Sequence, residues 1–172
     1  MRVTYQYPLF VVLAVLIAGA SPAQAQTPSW GDLSVSAVRM DYDLSGTGNT
    51  FGLAVRSTKD LTHRVSLEFG GVFASPRLQS GSSTLFMPEA QLRYRWNAGR
   101  FSPYVGGGMG TALVKTPFRS DWDTTLSAAA GTAVQLTDGV ALTGEFRLRG
   151  HEFRFVGTTA ELSVGLAWRL PS

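Results

Sequence analysis

Arg93 and Arg95 are separated by a single residue, as are Glu145, Arg147 and Arg149, while Glu68, Glu89 and Glu161 lie in neighbouring stretches. On an extended chain alternate side chains leave the same side, so each of these spaced sets shares one face. Carboxylates and guanidiniums gathered on one wall have two uses. They can line a gated ion path in which arginine exchanges glutamate partners, or they can lock together as a fixed filling. We expect the fixed filling, because every buried charge must find a partner. Removing one member of such a set destabilises a fold by about 3 to 5 kcal/mol.

Other chemistry is sparse. The chain has two histidines, His63 and His151. His151-Glu152 could act as base and acid with a loop serine, but an active site also demands mutual geometry, and a solvated loop pair is the expectation. No spacing suits a metal site. The glycine run 106–110 falls within a strand pattern and is too irregular for a nucleotide fingerprint. The chain has no cysteine, so neither disulfides nor thiol chemistry is available. No catalytic residue, cofactor or metal is expected, and the chain is read as a non-enzyme.

The elements that must position the charges are strands. Leu126, Ala128, Ala130, Thr132, Val134 and Leu136 alternate with Thr125, Ser127, Ala129, Gly131, Ala133 and Gln135, a period of two. Similar alternation marks eight strands at about 32–42, 50–57, 63–74, 85–96, 101–114, 122–136, 140–149 and 158–170. Short turns at 58–62, 97–100 and 137–139 alternate with longer polar connections at 43–49, 75–84, 115–121 and 150–157. Such alternation of short and long ends fits an up-and-down antiparallel barrel. The fold expected is therefore all-β, an eight-stranded transmembrane β-barrel.

The first 25 residues fit a secretory signal, with Arg2, an apolar run from Leu9 to Ala20 and Ala23-Gln24-Ala25 as a cleavage pattern. Residues 26–172 then form one barrel domain. The whole chain carries 15 basic and 12 acidic residues. Loss of Arg2 leaves a balance of +2 with the signs interleaved along strands, which argues against a nucleic-acid partner.

The orientation of the wall follows from its charges. From the second strand onward the apolar phase, such as Phe51, Leu53 and Val55 or Leu162, Val164 and Leu166, contains no charged residue. A lipid-facing midplane Arg or Lys costs roughly 2 to 4 kcal/mol, so this phase is expected outside. The opposite phase mixes Arg56, Arg64, Arg93, Arg95, Arg147, Arg149 and Arg169 with the four glutamates and small residues. Eight strands leave a lumen that side chains just fill. Tyr94, Trp96, Phe101 and Trp168 fall at strand ends and are expected to form an interfacial girdle. A water-soluble binding barrel would invert both walls.

The first strand is ambiguous. Leu33, Val35 and Ala37 favour one phase, and Val38, Met40 and Tyr42 the other. A bulge near Ala37 and Val38 would reconcile them. Without it, Arg39 faces outward near the external rim, within reach of a lipid phosphate.

The run Phe101-Ser102-Pro103-Tyr104-Val105-Gly106-Gly107-Gly108-Met109-Gly110 resembles a strand of small outer-membrane β-barrel proteins. Further stretches, Ala128 to Gly139 leading into Leu142 to Arg147, and Ala160 to Leu170, are similar to the same family, the OmpA transmembrane-domain and OmpX/Ail type. The resemblance implies export to the outer membrane of a Gram-negative-type bacterium. It also implies a monomer surrounded by outer-membrane lipid and lipopolysaccharide, inserted by the barrel assembly machinery, with a role in envelope structure or surface interaction. The family's terminal aromatic is replaced by Leu170, with Trp168 in phase two residues earlier. Lipid-modifying barrels of the deacylase type carry a His-x-Ser pair, which neither His63-Arg64-Val65 nor His151-Glu152-Phe153 supplies.

Overall fold

The computed structural model describes residues 31–41, 49–78, 81–96, 100–117, 120–152 and 158–170. The expected signal, 1–25, lies outside them, as does most of the connections 43–49 and 150–157. The strands are β1 (Gly31–Asp41), β2 (Asn49–Asp60), β3 (Val65–Ala74), β4 (Arg77–Leu78), β5 (Gly81–Ser82), β6 (Thr84–Arg95), β7 (Phe101–Lys115), β8 (Ser120–Thr137), β9 (Val140–His151) and β10 (Thr159–Leu170). Eight of them close a barrel in the order β1-β10-β9-β8-β7-β6-β3-β2, each neighbour antiparallel. β4 and β5 form a two-stranded hairpin within the connection from β3 to β6.

Closure removes every edge, which is what allows strands to stand in hydrocarbon with their backbone groups paired. β1 pairs with β10 from Gly31↔Leu170 to Asp41↔Ala160. Both strand termini therefore meet at one end of the barrel, together with the β2–β3, β6–β7 and β8–β9 turns. We call this the short-turn end and the opposite one the loop end. The β2–β3 turn is held by its own polar groups: the Thr62 hydroxyl accepts from the Arg64 and Val65 N–H groups at 3.3 and 3.0 Å. The Leu61 and Thr62 N–H groups both donate to the Val65 carbonyl at 2.9 Å.

The bulge expected near Ala37 and Val38 is absent, since the register of β1 is continuous on both sides. A register shift falls instead between Gln135 and Thr137 of β8. Without a bulge β1 keeps one phase, burying Val38 and Met40 inside and leaving Arg39 exposed on the outer wall. This phase is tolerated because Met40 and Val38 find apolar neighbours inside.

Those neighbours correct a second expectation. The inner wall is not polar throughout: in the loop half, Val38, Met40, Ala54, Val72, Ala74, Leu85, Met87 and Ala112 form a buried cluster with Val114 packed against it. Apolar side chains fill a lumen by interdigitating, with no demand for an opposite charge. Leu85 and Met87 lie in phase with Glu89, as Val72 lies in phase with Glu68, so each strand turns from apolar to charged along one face.

The outer wall carries Phe51, Leu53, Phe69, Phe146, Leu162 and Val164 in exposed positions. Several strands run further than expected, β2 to Asp60 and β7 to Lys115. Lys59 and Lys115 consequently join this wall at its two rims, both exposed. Cations there cost only about 0 to 1 kcal/mol, against several at the midplane.

Candidate functional site

Four glutamates and four arginines meet in the middle of the lumen. β9 supplies Glu145, Arg147 and Arg149, β10 supplies Glu161, β6 supplies Glu89 and Arg93, β3 supplies Glu68 and β2 supplies Arg56. Arg147 donates to Glu145 Oε1 (2.9 Å), Glu68 Oε1 (3.0 Å), Gln91 Oε1 (2.8 Å) and Glu89. Arg149 pairs with Glu89 and Glu161. Arg93 reaches Glu145 Oε2 at 2.6 Å and also Glu68. Arg56 lies 3.7 Å from Glu68 and 3.6 Å from Glu145. The set is neutral, and Arg149, Arg147, Glu161 and Glu68 are at most 2% exposed. Glu89 and Glu145 each join two arginines or more, so losing either glutamate leaves the buried set with an excess positive charge.

Small residues make the room. Tyr104 donates to Glu145 Oε2 at 2.8 Å while its ring lies 4.3 Å beneath the Arg93 guanidinium. A side chain at Gly131 would lie 2.5 Å from the Tyr104 hydroxyl, so the bond to Glu145 depends on glycine there. At Gly106 the same argument applies to the Gln91 amide.

The structure separates Arg95 from the expected set. Its Nη2 donates to Asp60 Oδ1 at 2.5 Å, one level nearer the short-turn end. Arg56, Gln91 and Tyr104 take part although they were not among the eight residues expected. The cause is cross-strand register, which sets the level of each side chain. Arg64, expected on the inner wall, belongs to the β2–β3 turn and donates to the Tyr94 hydroxyl at 3.1 Å. Tyr94 and Trp96 meet edge to face at 5.0 Å. Trp96, Phe101 and Trp168 are exposed toward the short-turn end of the outer wall.

Below the charged layer the lumen opens into a vestibule at the short-turn end. It offers a cavity of about 100 Å³ that opens to solvent, and its lining includes Asp32, Ser34, Arg93, Arg95, Tyr104 and Arg169. Toward the loop end the charged layer and the apolar cluster close it.

His151 occupies a third position. Its Nδ1 lies 3.3 Å from Asp123 Oδ2 and its Nε2 lies 3.0 Å from Thr159 Oγ1. Asp123 also accepts the Glu152 N–H at 3.2 Å, while Glu152 adopts φ 51°. The order acid, histidine, hydroxyl matches that of a nucleophilic triad. Thr159 is fully buried, however, and does not line the vestibule. His151 lies buried at the end of β9 beside Asp123, rather than in the solvated loop pair with Glu152 expected from the sequence. Among the described residues no group of three or more His, Cys, Asp or Glu could hold a metal ion.

A ring of eight antiparallel strands, apolar outside and charge-locked inside, defines a membrane-spanning barrel. The chain belongs to the outer membrane protein beta-barrel domain family, whose model matches residues 10–169. Its fold is similar to that of Neisserial surface protein A, with a TM-score of 0.65 at 14% identity over 86% of this chain and 100% of that one. It is also similar to the attachment invasion locus protein Ail of Yersinia pestis, with a TM-score of 0.55 at 13% identity over 84% and 100%. The N-terminal barrel domain of Pseudomonas aeruginosa OprF gives 0.58 at 12% identity over 81% and 97%. None of the curated proteins matches the chain. The family places the protein in the outer membrane.

Proposed function

We propose that the protein is a closed barrel that serves envelope structure or surface interaction through its loop end, without catalysis or a standing ion path. The carrying observation is the double closure of the lumen, a neutral lattice of four glutamates and four arginines backed by the apolar cluster from Val38 to Ala112. An ion entering the vestibule meets guanidiniums already neutralised, then a dry layer. The triad-like contacts of His151 lack substrate access at Thr159, which supports a non-enzymatic reading.

The fold relative Ail is, by its name, an attachment protein, and it has been crystallised with a heparin analogue. Loops carry recognition on rigid scaffolds, and the long connections here all leave the loop end. Export through a signal at 1–25, insertion by the barrel assembly machinery, and a monomeric state among outer-membrane lipid and lipopolysaccharide complete the proposal. N-terminal sequencing of the mature protein should begin at Gln26.

The test is single-channel recording in planar bilayers, beside turnover of labelled lipid A. Silence in both is the expected result. Steady conductance steps would sink the closed-lumen reading, and released acyl chains would sink the non-enzymatic one.

A further inference from the structure

The uncharged part of the outer wall is not equally tall all round. β7 runs from Phe101 to Val114 without a charged residue, and Lys115 marks its loop-end limit. β8 presents an uncharged phase from Trp122 to Leu136, which are 70% and 56% exposed. On β1 and β2 the same stretch is cut from both ends. Arg39 stands exposed on β1 opposite Phe51, and Lys59 stands exposed on β2 opposite Gly31. Between these two cations the outward positions hold Leu33, Val35 and Ala37 on one strand and Leu53, Val55 and Ser57 on the other.

Strand geometry converts these spans into heights. At roughly 3.4 Å per residue and a tilt of about 40°, the span from Phe101 to Lys115 rises about 36 Å along the membrane normal. The span from Gly31 to Arg39, or equally from Lys59 to Phe51, rises about 20 Å on the same geometry. The apolar band of an outer-membrane barrel is about 25 Å tall. The side formed by β7 and β8 exceeds that band, and the side formed by β1 and β2 falls short of it. Tilting the whole barrel cannot reconcile them, since tilt raises one side and lowers the other without lengthening either. Arg39 and Lys59 can carry their charges toward water on apolar stems. The acyl chains beside them still meet Ser57 and two cationic side chains where β7 offers an apolar wall. A bilayer adapts to a short apolar wall by thinning locally.

We infer that the barrel thins the membrane along β1 and β2, so that this face takes lipid of short acyl chain while the face of β7 and β8 takes lipid of long chain. Selection is by the height of the apolar wall and not by the headgroup. Arg39 and Lys59 set that height, one from each end. The inference concerns the outer wall alone and does not depend on the closed lumen.

The experiment uses the mature chain with Trp30, Trp96, Trp122 and Trp168 replaced by phenylalanine. One reporter is then added, either Val55→Trp on β2 or Ala130→Trp on β8, both exposed positions of the outer wall. Each protein is reconstituted in mixtures of short-chain dimyristoleoyl and long-chain dibromostearoyl phosphatidylcholine. Bromine quenches the reporter in proportion to the share of long-chain lipid beside it. Long-chain lipid should be disfavoured roughly two- to fivefold at the β2 reporter relative to the β8 reporter. The difference should vanish in Arg39→Leu/Lys59→Leu, which extends the apolar wall at both ends. A heat-dependent mobility shift on electrophoresis confirms that each variant is folded. Equal quenching of the two reporters would overturn the inference, because snorkelling would then absorb the whole mismatch. So would a difference that survives the double substitution.

Discussion

The two halves of the lumen solve the same filling problem in opposite ways. Toward the loop end, Met40, Val72, Leu85 and Met87 interdigitate and exclude water. Toward the short-turn end, Ser34, Thr58, Ser66 and Ser102 leave a vestibule that water can enter. Between them the charged layer seals the dry half from the wet one. The difference shows that in a narrow barrel a mixed wall need not be plugged evenly. One charged layer, neutral as a set, can separate two unlike compartments.

Breaking the layer should produce the largest effect. Glu145→Ala removes an acceptor shared by Arg93, Arg147 and Tyr104, and a stranded buried charge costs about 3 to 5 kcal/mol. Urea unfolding in vesicles should show that loss, and an unchanged midpoint would mean the lattice is not a structural lock. The dry half comes next. Met87→Ala leaves a cavity lined by apolar side chains, for an expected loss of about 2 to 5 kcal/mol. The matched substitution Ser102→Ala in the wet half should be nearly silent by the same assay.

Gly131→Ala sharpens the boundary itself. The added methyl crowds the Tyr104 hydroxyl, and overpacking of this kind costs about 1 to 3 kcal/mol. Tyr104→Phe combined with Gly131→Ala should not recover the loss, since the methyl still meets the Gly144 carbonyl oxygen and the ring carbon at 2.6 Å. The smallest effect is expected for Arg95→Ala, because its pair with Asp60 borders the vestibule and is partly solvated, worth about 0 to 1 kcal/mol. A loss as large as that of Glu145→Ala would place Arg95 back within the lock.

The two-faced strands were legible in the sequence because the pleat alone dictates which side a residue takes. Leu126 through Leu136 show this, since their outward placement needs no knowledge of neighbouring strands. The lumen was legible in composition only. Arg93 and Arg95 are two apart on one strand, yet one joins Glu145 of β9 and the other Asp60 of β2. Their partners are fixed by the stagger between strands, which no local pattern carries. Arg56 was missed as a member of the layer for the same reason. Lys59 and Lys115 were left off the outer wall because strand ends are set by pairing with β1, β6 and β8 rather than by their own alternation. In β1, apolar residues occur in both phases because Val38 and Met40 face an apolar interior, a feature that belongs to other strands.

The seam between β1 and β10 joins the first strand of the barrel to the last. Until Thr159–Leu170 has been synthesised, the ring has two open edges, and Arg149 lacks Glu161. A chain cut before that segment would leave β1 and β9 each with an unpaired edge. Thr159–Leu170 thus covers the free edges of β9 and β1 at once, and ring closure waits on that one strand.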